Sequence, residues 1–136
     1  MNDRRITEWQ QVGRQNLLDA VSMIDRGSIR SAISRAYYSA VASTHAILLV
    51  RGYSAPERGN WSNQQLPDTV REAIRAIAPR DSACQTSAKI TREELAHTWA
   101  LRLQADYNPE SRLSLEAARD AVKCARRLAQ RLETMQ

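Results

Sequence analysis

Apolar residues recur every three or four positions along most of the chain, which is the spacing of one face of an α-helix. The pattern predicts five helices, and short links between helices of similar length favour antiparallel neighbours. We therefore expect an all-α fold, an antiparallel four- to five-helix bundle in which residues 1–136 form a single domain. The predicted helices cover residues 7–25, 28–51, 67–78, 91–107 and 110–133.

Particular residues mark the ends of these helices. Gly27 and Gly52 follow the first two, and glycine tolerates the positive φ at which many helices stop. Residues 80–90 are polar and predict a connection. Thr91 and Glu94 then have the spacing of a capping box, which predicts that the fourth helix begins at Thr91.

Composition supports the helical prediction and limits the classes of function. Glycine and proline number only four each, and phenylalanine is absent. No apolar run approaches the roughly 20 residues needed to cross a bilayer, and the N-terminus lacks a secretory signal, so we expect a soluble, cytoplasmic protein. The net charge is +5 and most of the excess is arginine, whose planar guanidinium suits phosphate. RNA or an acidic protein is therefore the expected partner, and an ordinary charged surface is the alternative.

Few residues are suited to catalysis or to metal binding. Cys84 and Cys124 belong to neither a Cys-x-x-Cys pair nor a Cys/His cluster, so the sequence predicts free thiols, no metal site and no cofactor. The two histidines, His45 and His97, lie within predicted helices, where packing or a solvated position is the ordinary role.

A row of basic residues on the last predicted helix is a candidate binding surface. Its members recur every four residues, so they wind slowly around one side of a helix. Such a row is either a solvated face or a face that neutralises the phosphates of RNA. It consists of Arg119, Lys123, Arg127 and Arg131.

Residues 53–65 follow no period and predict a long loop, a kind of segment that often carries function. Within it, the Arg58 guanidinium is suited to holding a phosphate and the Trp61 indole to stacking on a base. The alternative is that Trp61 packs against the helices and pins the loop onto the bundle.

Two segments resemble those of a known family. Residues 34–40 read Ser-Arg-Ala-Tyr-Tyr-Ser-Ala, which resembles the Ser-Arg-Ala-Tyr-Tyr-x-Ala signature of one branch of HEPN-domain proteins. Residues 102–107 read Arg-Leu-Gln-Ala-Asp-Tyr and resemble that branch's Arg-x-x-Ala-Asp-Tyr segment before the last helix. The two segments stand in the expected order, and the resemblance covers nearly the whole chain. The residues that match the family motif are Arg35, Tyr37, Tyr38, Arg102, Asp106 and Tyr107.

The resemblance implies a fold, a partner and an activity. It implies an antiparallel helical bundle, commonly a homodimer, in a prokaryotic toxin–antitoxin or defence module, often beside a minimal nucleotidyltransferase. It also implies a metal-independent ribonuclease in many members. Their motif is an arginine, four to six residues and a histidine, with two copies facing each other across the dimer.

This chain departs from the Arg–His motif. Arg58 matches its arginine, but Asn63 stands where the histidine is expected, and an amide cannot exchange a proton near neutral pH. Arg92 and His97 have the motif's spacing, although they precede the usual position and no other resemblance surrounds them.

Three hypotheses remain open at this stage. The first is a dimeric, HEPN-like module that binds RNA or a partner protein without cutting, with Asn63 marking a degraded site. The second is a metal-independent ribonuclease that uses Arg58 with Asn63, or Arg92 with His97. The third is a structural helical adaptor whose charge is incidental.

Overall fold

In a computed structural model the chain forms five α-helices, and the structure describes residues 3–136 apart from residues 57 and 59. The prediction of an all-α helical bundle is confirmed. Within the described part of the chain, none of the helices is long and apolar enough to cross a membrane. The helices are α1 (Asp3–Asp25), α2 (Ile29–Val50), α3 (Leu66–Arg75), α4 (Ser82–Tyr107) and α5 (Leu115–Glu133).

Helix α2 lies at the centre of the bundle and contacts all four other helices. Small side chains on several of its sides allow this close packing, and its alanines are buried together with its larger apolar residues. Helix α1 approaches α2 closely at Gly13, where a Cβ atom would lie 3.3 Å from the Ser43 hydroxyl. The Ser39 hydroxyl donates to the Gly13 carbonyl at 2.8 Å, so a buried hydrogen bond joins the two helices at this point.

Helix α4 begins nine residues before the predicted start at Thr91, so the prediction of a connection over 80–90 is wrong. Its N-cap is Asp81, whose side chain accepts hydrogen bonds from the amides of Ala83 and Cys84. Thr91 lies inside the helix, buried, and its hydroxyl donates to the Ser87 carbonyl. The polar segment continues as helix because Asp81 caps it and because Ala88 is buried in the core.

Helix α5 begins at Leu115, later than the predicted start at residue 110. Ser114 is the N-cap, and its hydroxyl accepts from the amide of Ala117 at 3.1 Å. The predicted bounds of α2 are nearly correct, with Ser28 at the N-cap position, although the Ser28 side chain makes no capping hydrogen bond.

We expect replacement of Asp81 by alanine to lower the free energy of unfolding by about 1 kcal/mol, because two amides at the start of α4 lose their acceptor. Ser28→Ala is the matched control, since Ser28 is an N-cap residue whose side chain caps nothing, and it should change stability much less. Urea denaturation of both variants measures the difference. Equal effects would contradict the assignment of the cap.

Candidate functional site

The two segments that resemble the HEPN branch meet in space. Residues 34–38 lie on α2 and residues 102–107 form the last turns of α4. Hydrogen bonds and ring contacts connect them across the two helices. We call this group the Arg102 cluster; it contains Ser34, Tyr37, Tyr38, Arg102, Asp106 and Tyr107.

Arg102 is the centre of this cluster, and its side chain is only 12% exposed. Its Nε donates to the Asp106 carboxylate at 2.8 Å, and its Nη2 donates to the Tyr38 hydroxyl at 2.9 Å and to the Tyr107 hydroxyl at 3.3 Å. The guanidinium carbon also lies 5.4 Å and 5.2 Å from the ring centres of Tyr38 and Tyr107, within cation–π distance. The Ser34 hydroxyl donates to the second oxygen of Asp106.

The arrangement favours a permanently charged Arg102. Burial alone acts against the charge, but Tyr38, Tyr107 and Asp106 outweigh it and raise the pKa of Arg102. The ion pair lies within α4, and the hydrogen bonds of its two members to Tyr38 and Ser34 connect the end of α4 to α2. Its surface side consists of the two aromatic rings, since Tyr38 is 39% and Tyr107 67% exposed.

Arg30 supports the same region, and sequence reasoning missed it. Its Nη1 donates to the carbonyls of Gln104, Ala105 and Asn108 at 3.1, 2.9 and 3.0 Å, and its Nη2 donates to the Ser111 carbonyl at 2.5 Å. Carbonyls at the end of a helix have no partner within the helix, so this guanidinium caps α4. Its partners lie far away in sequence, and no local spacing points to them.

Arg35 is the remaining residue that matches the HEPN branch. It lines a surface pocket together with Tyr38 and Asp106 but is not part of the Arg102 cluster. Its exposed guanidinium donates to the Asn16 side chain on α1 at 3.4 Å. This contact is long, so Arg35 remains a solvent-facing cation beside the motif.

Neither the known protein families nor the curated proteins with which the chain was compared give a match. The likeness to the HEPN branch therefore depends on the two quoted segments and on their meeting in the Arg102 cluster.

The loop between α2 and α3 is anchored by Trp61 and His45. His45 is buried, and its Nδ1 donates to the Val41 carbonyl at 2.9 Å while its Nε2 accepts from the Trp61 amide at 3.3 Å. Its ring stacks on Trp9 with centroids 4.2 Å apart and meets the edge of Trp61 at 5.3 Å. Trp61 is only 8% exposed, which leaves little surface for a base and agrees with a packed residue that pins the loop.

Asn63, which stands at the expected histidine position, is an exposed residue whose side-chain amide contacts α2. Its amide oxygen accepts from the Tyr37 hydroxyl at 2.7 Å. Burial raises the pKa of the Tyr37 phenol well above its ordinary value, against the opposing effect of Arg102, so the phenol stays protonated and donates. Arg58 is exposed at φ 45°, in the left-handed region, and lines a shallow pocket with Asn60 and Ser62.

Arg92 and His97 do not form a joint site within one chain. Arg92 Nε donates to Asp68 on α3 at 2.7 Å, whereas His97 Nε2 lies 2.7 Å from the carboxylate of Asp120 on α5. Five residues along a helix correspond to a rotation of about 140°, so the two side chains leave α4 towards different neighbours.

The basic row of α5 divides into two parts. Arg127 and Arg131 contact opposite oxygens of the buried Glu94 carboxylate at 3.2 and 2.6 Å, so they neutralise a charge that α4 places inside the bundle. Arg119 and Lys123 are exposed. The row is therefore not a uniform phosphate-binding face, because half of it is engaged within the chain.

A second basic surface lies between α3 and α4, and we call it the α3–α4 groove. Its walls carry four cations, of which Arg75 and Lys89 are exposed, against the single carboxylate of Glu93. Asp68 stands beside it and stays charged, since its hydrogen bond with Arg92 lowers its pKa. Sequence reasoning missed this surface because it placed Lys89 in a connection. The four cations are Arg71, Arg75, Lys89 and Arg92.

We expect Arg102→Ala to lower the free energy of unfolding by about 2 kcal/mol, because Asp106 and two tyrosine hydroxyls lose a charged donor together. Arg102→Lys should recover only part of the loss, since an ammonium lacks the planar fork. Arg119→Ala, at an exposed position, is the control and should be nearly neutral. Full stability of the lysine variant would contradict the role given to the guanidinium.

His45 should make stability depend on pH. Burial lowers the pKa of His45, so the native state keeps it neutral while the unfolded chain protonates it below about pH 6.5. Its contribution is therefore intact above that pH and is lost as the pH falls towards the native pKa. Urea denaturation between about pH 5 and 7.5 should show this slope in the wild type and in His97→Gln but a smaller slope in His45→Gln.

Proposed function

We propose that this chain is a HEPN-like bundle that binds RNA without cutting it, as a component of a prokaryotic toxin–antitoxin or defence module. The observation that carries the proposal is the contact of Asn63 with Tyr37. The residue at the expected histidine position cannot exchange a proton near neutral pH, and its oxygen accepts a hydrogen bond from Tyr37 on α2. Asn63 therefore has a structural role in place of a catalytic one.

The separation of Arg92 from His97 supports the same conclusion. Ribonuclease chemistry of this type needs a group that transfers the proton of the 2′-hydroxyl and a cation on the phosphate, close to each other. Arg92 contacts α3 and His97 contacts α5, so one chain does not supply both groups to one substrate.

The α3–α4 groove is the surface that best fits the RNA backbone. Arg75 and Lys89 are exposed, one on each wall of the groove. Arg71 and Arg92 also line it, and both form ion pairs with Asp68. Several cations on two facing helices bind successive phosphates and release counterions, which gives affinity that depends on salt. The α5 row likewise has two cations in ion pairs, Arg127 and Arg131 with Glu94, but its cations all lie on one helix and do not face a second basic wall.

A homodimer and a nucleotidyltransferase partner belong to the proposal through the resemblance alone. They fit a module that recognises RNA while a partner protein performs the chemistry. The Arg102 cluster holds the end of α4 against α2, and its exposed tyrosine rings give that end an aromatic surface.

The test compares two double charge reversals with the same change in net charge. Arg75→Glu with Lys89→Glu alters the α3–α4 groove, and Arg119→Glu with Lys123→Glu alters exposed positions on α5. We expect the groove variant to lose at least about tenfold in affinity for single-stranded RNA and to reduce the log–log salt slope by about 1.4, because two phosphate contacts are removed. Binding is measured by fluorescence anisotropy across a range of salt concentrations.

The same samples test for cleavage. The wild type should leave single-stranded and structured RNA intact without added metal. Cleavage that disappears in both Arg92→Ala and His97→Ala would establish the ribonuclease alternative. Equal loss of binding in the two charge-reversal variants would contradict the assignment of RNA to the groove.

A further inference from the structure

Three side chains suited to metal binding converge where α4 packs against α5. Within the part of the chain that the structure describes, His97, Asp120 and Cys124 are the group of three histidine, cysteine or acidic residues that could hold one ion. One ligand atom from each lies within 4.8 Å of the others. The closest pair is His97 Nε2 and the Asp120 carboxylate, at 2.7 Å.

The helices explain this convergence. Asp120 and Cys124 are four residues apart on α5, so they lie one turn apart on the same face. His97 reaches them from α4. The Cys124 side chain is buried, whereas the side chains of His97 and Asp120 are each 49% exposed. The thiol therefore closes the inner end of the group, and solvent reaches the other two ligands.

We propose that His97, Asp120 and Cys124 bind a divalent cation of the zinc class, which links α4 to α5 and leaves a fourth coordination position open to solvent. An imidazole nitrogen, a carboxylate oxygen and a thiolate are the three kinds of ligand that Zn²⁺ takes in proteins. The thiol proton passes to solvent as the metal–sulfur bond forms. The thiolate and the carboxylate then neutralise the two positive charges of the ion.

Only small movements separate the present geometry from coordination. In a tetrahedral zinc site the ligand atoms lie about 3.3–3.8 Å from one another, given metal–ligand distances of about 2.0–2.3 Å. The His97–Asp120 hydrogen bond must therefore open slightly and Cys124 must approach. The His97 and Asp120 side chains are half-exposed, which leaves them free space to rotate relative to the buried thiol.

Arg127 supplies a supporting contact to the thiolate. Its Nη2 lies 3.5 Å from Cys124 Sγ, while its Nε is held by Glu94 on α4 at 3.2 Å. Outer partners of this kind fix the orientation of a ligand and stabilise its charged form. The proposal is independent of RNA binding, because it depends on a different pair of helices.

Titration of the full chain with Co²⁺ tests the site. We expect visible ligand-field bands of a four-coordinate ion and a near-ultraviolet thiolate-to-cobalt band, saturating at one equivalent and displaced by Zn²⁺. Cys124→Ser should remove the thiolate band, and His97→Gln or Asp120→Asn should weaken binding at least about tenfold. Cys84→Ser is the matched control for the other cysteine and should bind as the wild type does.

Circular dichroism of each variant shows whether it is folded. If Cys124→Ser fails to fold, His97→Gln still decides, since its half-exposed side chain can change without loss of the core. Zn²⁺ should raise the melting temperature of the wild type and of Cys84→Ser but not of His97→Gln. Absence of the thiolate band in the wild type, or its persistence in folded Cys124→Ser, would overturn the proposal.

Discussion

Helix α2 is buried along most of its length, and each polar side chain that it buries is hydrogen-bonded within the chain. A buried polar group without a partner costs about 1–3 kcal/mol, so the surrounding elements must supply one. Gly13 on α1 accepts from Ser39, while the loop after α2 supplies an amide to His45 and an amide oxygen to Tyr37. The course of that loop follows from these two contacts.

The same requirement governs the end of α4. Arg30 on α2 donates to carbonyls at the end of α4 that have no partner within that helix. In the opposite direction, Arg102 on α4 donates to the Tyr38 hydroxyl on α2. Two guanidiniums, one from each helix, therefore fix a single junction. The segments that resemble the HEPN branch meet at this junction. The residues of these segments form hydrogen bonds with one another, so most of their charged groups already have a partner within the protein.

The two binding sites that we propose lie instead on opposite sides of α4. Because α4 begins at Ser82, Lys89 stands on a helix opposite α3 and joins the cations of the α3–α4 groove. On its other side, α4 places His97 beside Asp120 and Cys124 of α5. His97, which the sequence pairs with Arg92 by spacing, therefore has its partners on a neighbouring helix. The proposed RNA surface and the proposed metal site are separate.

The sequence by itself determined the all-α class and the two motif segments, because helical period and motif residues are local properties of the chain. It did not determine the start of α4, since the capping-box pattern at Thr91 competes with Asp81, and only packing of the preceding turns decides between them. It also left open whether Arg131 faces solvent or Glu94. Tertiary structure decided these points, because the partner of a polar side chain is set by how helices distant in sequence cross, and spacing along one helix does not contain that information.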